Sequence, residues 1–473
     1  MAHPRLSLDG RLCALAAVIL LLLPVAPPLF RGAVIALAIV ALVLAALPKG
    51  TRGVVSATMV GLATGIASVN LFAVGLFQGP ITAEFGWSQT QYSLVTVVGT
   101  VVTVLSSPII GRLFDRQGVR RWALTSIVLF ALALISLYWL SPHPWHFYAV
   151  FALVPLIGAG TSSVAYSRVV AAWFDERRGQ AFGAALAGIG IGGAVLSAVT
   201  QYLIGAVGWR GAYLGLGVLT LLVTLPIVFW KLRDTPAEVG LAADGVPLGA
   251  AASTAPAQVA PAQAAPTLVG YSAAGSRRQP RFWLMLTAFL LLAVAIGGVL
   301  IPLVPILRAR GISAEQAAAT QATLGLALIF GRAFAGFLMD RFFAPFVAVA
   351  ILAFPVIGVV LLADGGGGTT LALVAAACIG LAAGAELDVI AVLITRYFGN
   401  RAYAENYGWQ YAAWTLGSGF SVLVTNGVYD AFGSHAPALW GYAALFVLSG
   451  LLILRLGRYP VLPTAAVGAN RNL

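Results

Sequence analysis

The chain alternates between long apolar blocks and short polar or turn-forming segments. The apolar blocks lie near residues 12–28, 32–47, 54–78, 90–111, 122–140, 146–171, 180–205, 209–231, 282–307, 315–338, 343–363, 369–395, 405–428 and 437–456. Most of them approach or exceed the length of about 20 residues that an α-helix needs to cross a bilayer. Breakers such as Pro80 and Gly208 separate them. The pattern predicts an all-α membrane protein with 14 spans.

Composition strengthens this prediction. Hydrophobic residues make up 60% of the 473 residues and charged residues only 9%, with a mean hydropathy of +0.96. Soluble domains carry about 25% charged residues, because charge covers their outer surface. The composition therefore excludes a soluble enzyme and a nucleic-acid-binding module. No nucleic-acid partner is expected, since loop arginines explain the net charge of +12.

The basic residues predict how the chain is oriented. If the chain enters the membrane at residue 54 from the cytoplasmic side, 21 of the 27 lysines and arginines fall on that side. Four fall on the outer side, and Arg168 and Arg332 lie inside apolar blocks. Cytoplasmic loops carry an excess of Lys and Arg, so we expect both termini to be cytoplasmic. The few lysines and many alanines and glycines favour a bacterial protein of the plasma (inner) membrane.

Two repeated motifs predict an internal duplication. The first motif follows the second block of each half, as GRLFDRQG after residue 50 and as GFLMDRFF after the linker. The second motif ends the fourth block of each half, as AAWFDERRGQAFG and ITRYFGNRAYAENYG. Such repetition is typical of two bundles related by an axis along the membrane normal, with substrate between them near the midplane. We expect six-helix bundles at 51–231 and 281–460, an Ala/Pro-rich, flexible cytoplasmic linker at 232–280 and a cytoplasmic tail at 461–473.

Residues 1–50 are predicted to form an extra N-terminal membrane segment. Its apolar stretch, 12–47, is broken by Pro24, Pro27 and Pro28. A helical hairpin is the preferred interpretation and gives 14 spans in all, because it keeps the basic N-terminus cytoplasmic. A single span with an interfacial segment, which gives 12 or 13 spans, is the alternative. A cleaved signal peptide is disfavoured, because the sequence has no convincing small-residue cleavage site.

The segment from Gly111 to Arg121 resembles the loop motif of the major facilitator superfamily. A glycine allows close helix approach, and an aspartate can accept from a helix N-terminus or an arginine. The motif comprises Gly111, Asp115, Arg116, Gly118, Arg120 and Arg121, with a weaker second copy in Gly336, Asp340 and Arg341. The resemblance covers about residues 54–458. It implies the major facilitator fold of two pseudo-symmetric six-helix bundles, with a loop that stabilises the outward-open state.

Other motifs are similar to those of the monocarboxylate and oxalate/formate transporter branch of that superfamily. They are EFGWS at 84–88, WF at 173–174 followed by RRG at 177–179, GIGIGG at 188–193, GWR at 208–210 and GAELD at 384–388. The resemblance implies a transporter of small organic anions such as monocarboxylates. No nucleotide-binding loop is present in the sequence, so an ion or solute gradient is expected to supply the energy.

Arg332 is the first candidate for substrate binding. It lies eight residues before Asp340, about 12 Å along a helix. The transporter branch has an arginine at the matching place that binds substrate carboxylate, and a guanidinium fork suits that anion. A structural pairing with backbone carbonyls or Asp340 is the alternative. Some relatives carry an aspartate one turn earlier, where this chain has Leu328, and a lysine of the first or eleventh core span is also missing. These differences argue against proton symport by the relatives' mechanism.

Three further ionisable residues lie inside apolar blocks and are candidates for coupling or gating. Glu386 and Asp388 point about 200° from each other on a helix. Only one can face a central cavity, and the other is expected to pair with a loop arginine such as Arg341 or Arg396. Arg168 is expected either to meet one of these carboxylates as a gate or to pair with Asp115 or Asp175.

Polar and aromatic side chains on the same blocks complete the candidate site. For substrate binding we favour Asn70, Gln78, Tyr166 and Gln410, while Trp409, Tyr411 and Trp414 can line a cavity. Most such residues only hydrogen-bond a neighbouring helix or sit at the interface. The four histidines are scattered and predict no metal site, and no cofactor is expected.

These observations predict a secondary active transporter of small organic anions, either monocarboxylates or aromatic acids, and not an enzyme. It is expected to act as a monomer by alternating access, driven by protons or a counter-anion. An exporter of drugs or metabolites with the same fold is one alternative. A membrane sensor or assembly protein without transport is the other.

Overall fold

The structure, a computed structural model, describes residues 47–248, 268–364 and 368–465, together with Ala38, Ala41, Leu44 and Ala45. These residues are mostly α-helical, and nine helices among them are long and apolar enough to cross a membrane. The predicted all-α membrane fold is therefore confirmed. The predicted extra pair of N-terminal spans lies largely outside the described residues, so the total of 14 spans remains a prediction.

The helices coincide with the apolar blocks predicted after residue 50. Before the linker they are α1 (Arg52–Ala63), α2 (Ile66–Ser68), α3 (Val74–Phe85), α4 (Gln89–Gln117), α5 (Arg120–Ser136), α6 (Trp145–Ile157), α7 (Ser163–Trp173), α8 (Arg178–Leu219) and α9 (Leu225–Lys231). After it they are α10 (Ala273–Arg277), α11 (Pro280–Leu300), α12 (Leu303–Arg308), α13 (Ala314–Arg341), α14 (Ala344–Ala363), α15 (Gly368–Tyr397), α16 (Tyr403–Phe432) and α17 (Ala436–Leu454).

Short irregular segments interrupt several blocks. One-turn π-helical segments at Val69–Ala73 and Thr220–Thr224 continue the adjoining helices, and 3₁₀ turns lie at Lys49–Thr51, Leu137–Trp139, Ala159–Thr161, Pro236–Val239 and Ala243–Gly245. Helix α8 is broken at Gly208, whose φ of 74° and ψ of 171° are not helical. This break separates two predicted spans, at 180–205 and 209–231, within one long helical segment.

The chain divides into two compact units, and each unit combines separate stretches of sequence. Unit 1 comprises Met1–Val102, Gln117–Arg177 and Ala184–Ala257. Unit 2 comprises Thr103–Arg116, Arg178–Gly183 and Gln258–Leu473. The end of α4 and the start of α8 thus pack within unit 2, although both precede the linker.

Two of the motifs identified in the sequence meet within unit 1. Glu84 accepts a hydrogen bond from the Trp209 indole nitrogen at 2.6 Å and pairs with the Arg210 guanidinium at 2.5 Å. Gly86 has a φ of 67° and Gly208 a φ of 74°, the left-handed conformation that favours glycine. The EFGWS and GWR motifs therefore share one structural role, which is to join two loops of unit 1.

The described ends of the predicted linker are folded. In unit 1, Asp234 Oδ1 accepts from the amides of Val119 and Arg120 at 2.8 and 2.9 Å, at the start of α5. Asp244 accepts from the amides of Asp175 and Glu176 at 3.1 and 3.0 Å. A carboxylate that caps consecutive amides fixes the local chain, which the Ala/Pro-rich composition does not predict.

The other end of the linker packs within unit 2. Strand β1 (Leu268–Val269) pairs antiparallel with strand β2 (Thr464–Ala465). Gly270 then bridges to Gly399 in the segment between α15 and α16. The short helix α10 follows, so the end of the linker is held beside the start of α16.

The helices α13 and α15 pack closely in unit 2 through small residues. A Cβ atom added to Gly380 would overlap the backbone of Leu324, and one added to Gly384 would overlap the backbone of Leu328. Glycines at four-residue spacing allow two membrane helices to approach closely. This contact sets the register of the two helices that carry the candidate charged residues.

Candidate substrate site

Arg332 and Asp388 meet inside unit 2 because of the register of α13 and α15. Leu328 faces Gly384, and the residues one turn further along both helices are Arg332 and Asp388. Arg332 Nη1 lies 3.6 Å from Asp388 Oδ1. The carboxylate partner of Arg332 is therefore Asp388, not Asp340, and Asp388 pairs with a membrane arginine and not with Arg341 or Arg396.

The pair is buried and poorly satisfied. The side chain of Arg332 is 4% exposed and that of Asp388 is 0% exposed. The Nε and Nη1 atoms of the guanidinium and both carboxylate oxygens have no hydrogen-bond partner. Buried charges are normally hydrogen-bonded as well as paired. The two groups thus retain unused donors and acceptors that a second anion and a proton can satisfy.

Glu386 points in a different direction from Asp388 on α15, as its position two residues away predicts, but it is close enough to Arg332 for electrostatic interaction. It lines a small, mainly apolar pocket together with Phe289, Leu292, Ile351 and Val389. Its carboxyl group is also near the indole nitrogen of Trp414. The two carboxylates of α15 therefore have different surroundings, and Asp388 is the one that shares a site with Arg332.

Helix α16 carries several buried polar groups, of which Tyr407 is close to this pair. Gln410 is buried and donates from Nε2 to the carbonyl of Phe282 at 3.5 Å, while its Oε1 has no partner. The hydroxyl of Tyr407 and the indole nitrogens of Trp409 and Trp414 also have no hydrogen-bond partner. Tyr407 is close enough to Arg332 and Asp388 for electrostatic interaction. Sequence analysis missed Tyr407, although its spacing of four residues from Tyr411 places both on one helix face.

The remaining candidates for binding and gating lie in unit 1. Tyr166 is fully buried, and its ring packs against Gly61. Asn70 is exposed and lies in the π-helical segment Val69–Ala73, whereas Gln78 is half-buried in α3. Arg168 is half-buried in α7. The predicted gate formed by Arg168 and a carboxylate of α15 remains a prediction.

The repeated loop motif makes a repeated contact in unit 2. Asp115 accepts hydrogen bonds from the amides of Ala404 and Glu405, at 3.1 and 2.9 Å, at the start of α16. In the second copy, Asp340 accepts from the amides of Gly179 and Gln180, at 2.6 and 2.9 Å, at the start of α8. Each aspartate therefore caps the N-terminus of the helix that follows the fourth span of the other repeat.

Glycines make the same contacts possible. A Cβ atom on Gly111 would overlap the backbone of Ala404, and one on Gly336 would overlap the backbone of Gly179. The first residue of each motif thus allows the close approach that brings the aspartate, four residues later, to a helix end. The duplication detected in the sequence is a duplication of this contact.

The first copy has an ion-pair cluster in addition. Glu405 lies at the start of α16, and its carboxylate binds Arg112 Nη2 at 3.0 Å and Arg277 Nη1 at 2.7 Å. Phe337 and Gln180 occupy the matching places in the second copy. Sequence analysis missed Glu405 and Arg277, because Arg277 belongs to a segment whose composition predicts a flexible linker.

The other residues of the loop motif have separate contacts. Gly118 has a φ of 80° and precedes the amides capped by Asp234. Arg120 donates from Nη2 to the carbonyl of Phe229 at 2.9 Å. Arg341 lies over the Phe337 ring, with its guanidinium carbon 3.6 Å from the ring centroid. The remaining two, Arg116 and Arg121, are exposed.

The asymmetry between the two copies leads to a stability prediction. Asp340→Asn is expected to destabilise the protein more than Asp115→Asn, because Arg112 and Glu405 still join α4 to α16 when Asp115 is changed. Asparagine leaves one of the two amides without an acceptor oxygen, and a hydrogen bond to a charged group contributes about 1.5–3 kcal/mol. We therefore expect a loss of about 2 kcal/mol for Asp340→Asn and of about 1 kcal/mol for Asp115→Asn, where the ion pairs of Glu405 remain. Melting temperatures of the purified variants in detergent measure the difference, with the exposed Asp364→Asn as control. A larger loss for Asp115→Asn would contradict this expectation.

The fold and this site define a class of protein. Apolar membrane helices, an internal repeat and a buried, incompletely satisfied ion pair are the features of a secondary transporter. The sequence profile of the Major Facilitator Superfamily matches residues 60–422. The chain therefore belongs to this superfamily, is a multi-pass membrane protein and is a transporter rather than an enzyme, as the loop motif predicts.

Individual relatives agree with this assignment. The chain is 23% identical over 371 residues to the MFS-type transporter YhjX of Escherichia coli (strain K12), described as uncharacterized, with 76% of this chain and 85% of that protein covered. It is 28% identical over 207 residues to human monocarboxylate transporter 11, with 42% of this chain and 44% of that protein covered. These likenesses confirm the resemblance to monocarboxylate transporters, which for the human relative extends over less than half of either chain.

A solved structure shows the same fold. The proton:xylose symporter XylE matches with a TM-score of 0.64 at 15% sequence identity, over 85% of this chain and 95% of that one. At this identity the likeness concerns the fold alone. The predicted major facilitator fold is confirmed.

Proposed function

We propose that the protein is a gradient-driven transporter of small organic anions, monocarboxylates or aromatic acids, that works by alternating access. The observation that carries this proposal is Arg332, a buried arginine whose only charge partner within 4 Å in the described part of the chain is Asp388, at 3.6 Å. A guanidinium can hold a carboxylate through two parallel hydrogen bonds. The Nε and Nη1 atoms of Arg332 donate no hydrogen bond within the described part of the chain, so each can donate to a bound anion. The similarity to monocarboxylate transporters supports the same substrate class.

Asp388 supplies a means of coupling in this proposal. Some transporters of the branch that this chain resembles carry a coupling aspartate one turn before the arginine, where this chain has Leu328. Leu328 packs against Gly384, and the register of the two helices brings Asp388 to Arg332 instead. When the substrate carboxylate binds Arg332, Asp388 loses its counter-charge inside the protein. An unpaired buried carboxylate is strongly disfavoured, so Asp388 takes up a proton as substrate binds.

The contacts of the loop motifs are proposed to control the conformational change of the transport cycle. The capping by Asp115 and Asp340 and the ion pairs of Glu405 join helix ends from both repeats within unit 2. We propose that these contacts form in one state and break in the other, with Arg168 and Glu386 as further gating groups. The excess of basic residues in the predicted cytoplasmic loops supports an orientation with both termini in the cytoplasm. The composition, with few lysines and many alanines and glycines, supports a bacterial plasma (inner) membrane as the location.

Uptake into proteoliposomes tests the proposed function. The purified protein is reconstituted, and radiolabelled lactate, pyruvate and benzoate are offered with an acidic exterior, with a reversed pH gradient and without a gradient. Accumulation of at least one acid, only when the exterior is acidic, is the expected result, with protein-free liposomes as control. If no acid moves under any gradient, the proposal is wrong, and efflux of uncharged or cationic compounds becomes the next assay.

A further inference from the structure

An aromatic ladder runs along one face of α16 in unit 2. It consists of Tyr403, Tyr407, Tyr411 and Trp414, whose neighbouring ring centroids are 5.8, 6.3 and 5.7 Å apart. The planes of successive rings differ by 31°, 20° and 17°, so the first pair is tilted and the other two pairs are stacked. Spacings of four and three residues place these side chains on the same helix face. Stacked rings of this kind present flat apolar surfaces at a fixed spacing.

One end of the aromatic ladder is open. Tyr403 and Tyr407 are fully buried, whereas Tyr411 and Trp414 are partly exposed. Phe182, which stacks on Tyr403 with centroids 6.3 Å apart, closes the buried end. The accessible ring surface therefore belongs to Tyr411 and Trp414.

This open end lies at the depth of the charged pair. Arg332 is nine residues from the end of α13 at Arg341, and Asp388 is nine residues from the end of α15 at Tyr397, a rise of about 14 Å for each. Tyr411 and Trp414 are eight and eleven residues from the start of α16, about 12 and 17 Å. The parallel register of α13 and α15 and the short connection from α15 to α16 place these ends on one side.

The hydroxyl of Tyr407 links the aromatic ladder to the pair. It is fully buried and has no hydrogen-bond partner, although it is close enough to Arg332 and Asp388 for electrostatic interaction. A buried hydroxyl without a partner is costly. A carboxylate bound to Arg332 can satisfy it by accepting its proton in a hydrogen bond.

We infer that the transported acid is an aromatic monocarboxylate, a substrate class narrower than the proposed function, on which this inference rests. Its carboxylate meets Arg332 and the Tyr407 hydroxyl, and its ring packs on Tyr411 and Trp414. Arg332 is then the anion site, Tyr407 orients the carboxylate, and Trp414 selects for a ring. An aliphatic acid such as lactate satisfies the first two groups and leaves the ring surface uncovered.

Competing uptake of benzoate and lactate tests this inference in proteoliposomes that contain the full chain. Wild type is expected to prefer benzoate over lactate by about tenfold or more in uptake efficiency, because ring stacking and apolar burial act only on benzoate. Trp414→Leu is expected to reduce benzoate uptake efficiency about tenfold and to change that for lactate less than about twofold. Trp440→Leu is the matched control, because Trp440 is 49% exposed on α17.

A second variant tests the hydroxyl. Tyr407→Phe keeps the ring and is expected to raise the KM for both acids about tenfold, since a hydrogen bond to a charged group is lost. Tyr429→Phe, on the same helix, is the control. Circular dichroism and gel filtration of each variant establish that it is folded.

The outcomes separate this inference from the proposed function. If lactate moves with a gradient and benzoate is not preferred, the aromatic inference is wrong and the proposed function stands. Equal losses for both acids in Trp414→Leu, or no effect of Tyr407→Phe, would also overturn it. If neither acid moves, the proposed function and this inference both fail.

Discussion

Arg332→Gln is expected to abolish uptake of organic anions by proteoliposomes. The side chain is 4% exposed and provides the buried guanidinium of the candidate site. Glutamine keeps part of the side-chain volume and can donate a hydrogen bond, but it has no charge to balance a carboxylate in a low-dielectric interior. Removing one partner of a buried, hydrogen-bonded charge pair costs about 2–5 kcal/mol or more. We therefore expect transport efficiency to fall by at least about 30-fold.

Two further variants separate binding from folding. Arg332→Gln leaves Asp388 without a counter-charge, which destabilises the protein in its own right. The double variant Arg332→Gln/Asp388→Asn removes both charges and is expected to recover the melting temperature without recovering uptake. Arg308→Gln, an exposed arginine at the end of α12, is the matched control. Uptake that survives in folded Arg332→Gln would assign this arginine a structural role, and Arg168 would become the next candidate.

Asp388→Asn is expected to uncouple transport from the proton gradient. Asparagine has the shape of the protonated carboxyl group but cannot release a proton. Substrate can then still bind Arg332 and exchange across the membrane, while accumulation against a gradient is lost. The measurements are accumulation of labelled acid under an acidic exterior and exchange with unlabelled acid inside.

Glu386→Gln is the comparison variant for this prediction. Glu386 lies two residues away on the same helix and lines the small apolar pocket near Trp414, whereas Asp388 is the carboxylate within ion-pair distance of Arg332. Because Glu386 is a proposed gating group, Glu386→Gln is expected to slow uptake but to keep accumulation driven by the proton gradient, whereas Asp388→Asn is expected to lose that accumulation. The reverse result would move the coupling role to the other face of α15, and normal accumulation in Asp388→Asn would exclude Asp388 as the coupling residue.

The fold was largely predictable because membrane helices are defined locally. An apolar block and its breakers lie together in sequence, and the loop motif identifies the superfamily through one short segment. The long helical segment from Arg178 to Lys231 shows the limit, since only Gly208 divides two predicted spans that the structure joins. Residues 1–50 show another limit, because three prolines leave more than one arrangement open.

The charged residues of the site were also predictable, but their pairing was not. A charge inside an apolar block is visible in a sequence, whereas a contact between α13 and α15 depends on the register of two distant helices. A signal for that register does exist. Gly380, Gly384 and Asp388 are spaced by four residues, and Leu324, Leu328 and Arg332 have the same spacing on the facing helix. The offset between them becomes known only when the helices are packed.

The residues that were missed lie where local composition misleads. Arg277 follows an Ala/Pro-rich stretch, yet it belongs to the short helix α10 and binds Glu405. Tyr407 lies in a block whose tyrosines and tryptophans resemble ordinary interfacial residues. Its role emerges only from the stacking of Tyr403, Tyr407 and Tyr411, and from a hydroxyl without a partner.

Unit 2 is assembled from stretches that are far apart in the sequence, and this affects the order in which its contacts can form during synthesis. Asp115 caps amides that lie 289 residues later in the chain, and the amide of Gly179 is capped by an aspartate 161 residues later. During synthesis, the end of α4 and the start of α8 are therefore made long before their partners leave the ribosome. Until then the amides of Gly179 and Gln180 lack the capping carboxylate of Asp340, and the glycine surfaces of Gly111 and Gly179 are not yet covered. Other membrane proteins or insertion factors can contact these surfaces. A chain that stops at the linker would lack the residues that complete these contacts. We therefore expect that the segments before and after the linker must be expressed together to give a stable protein.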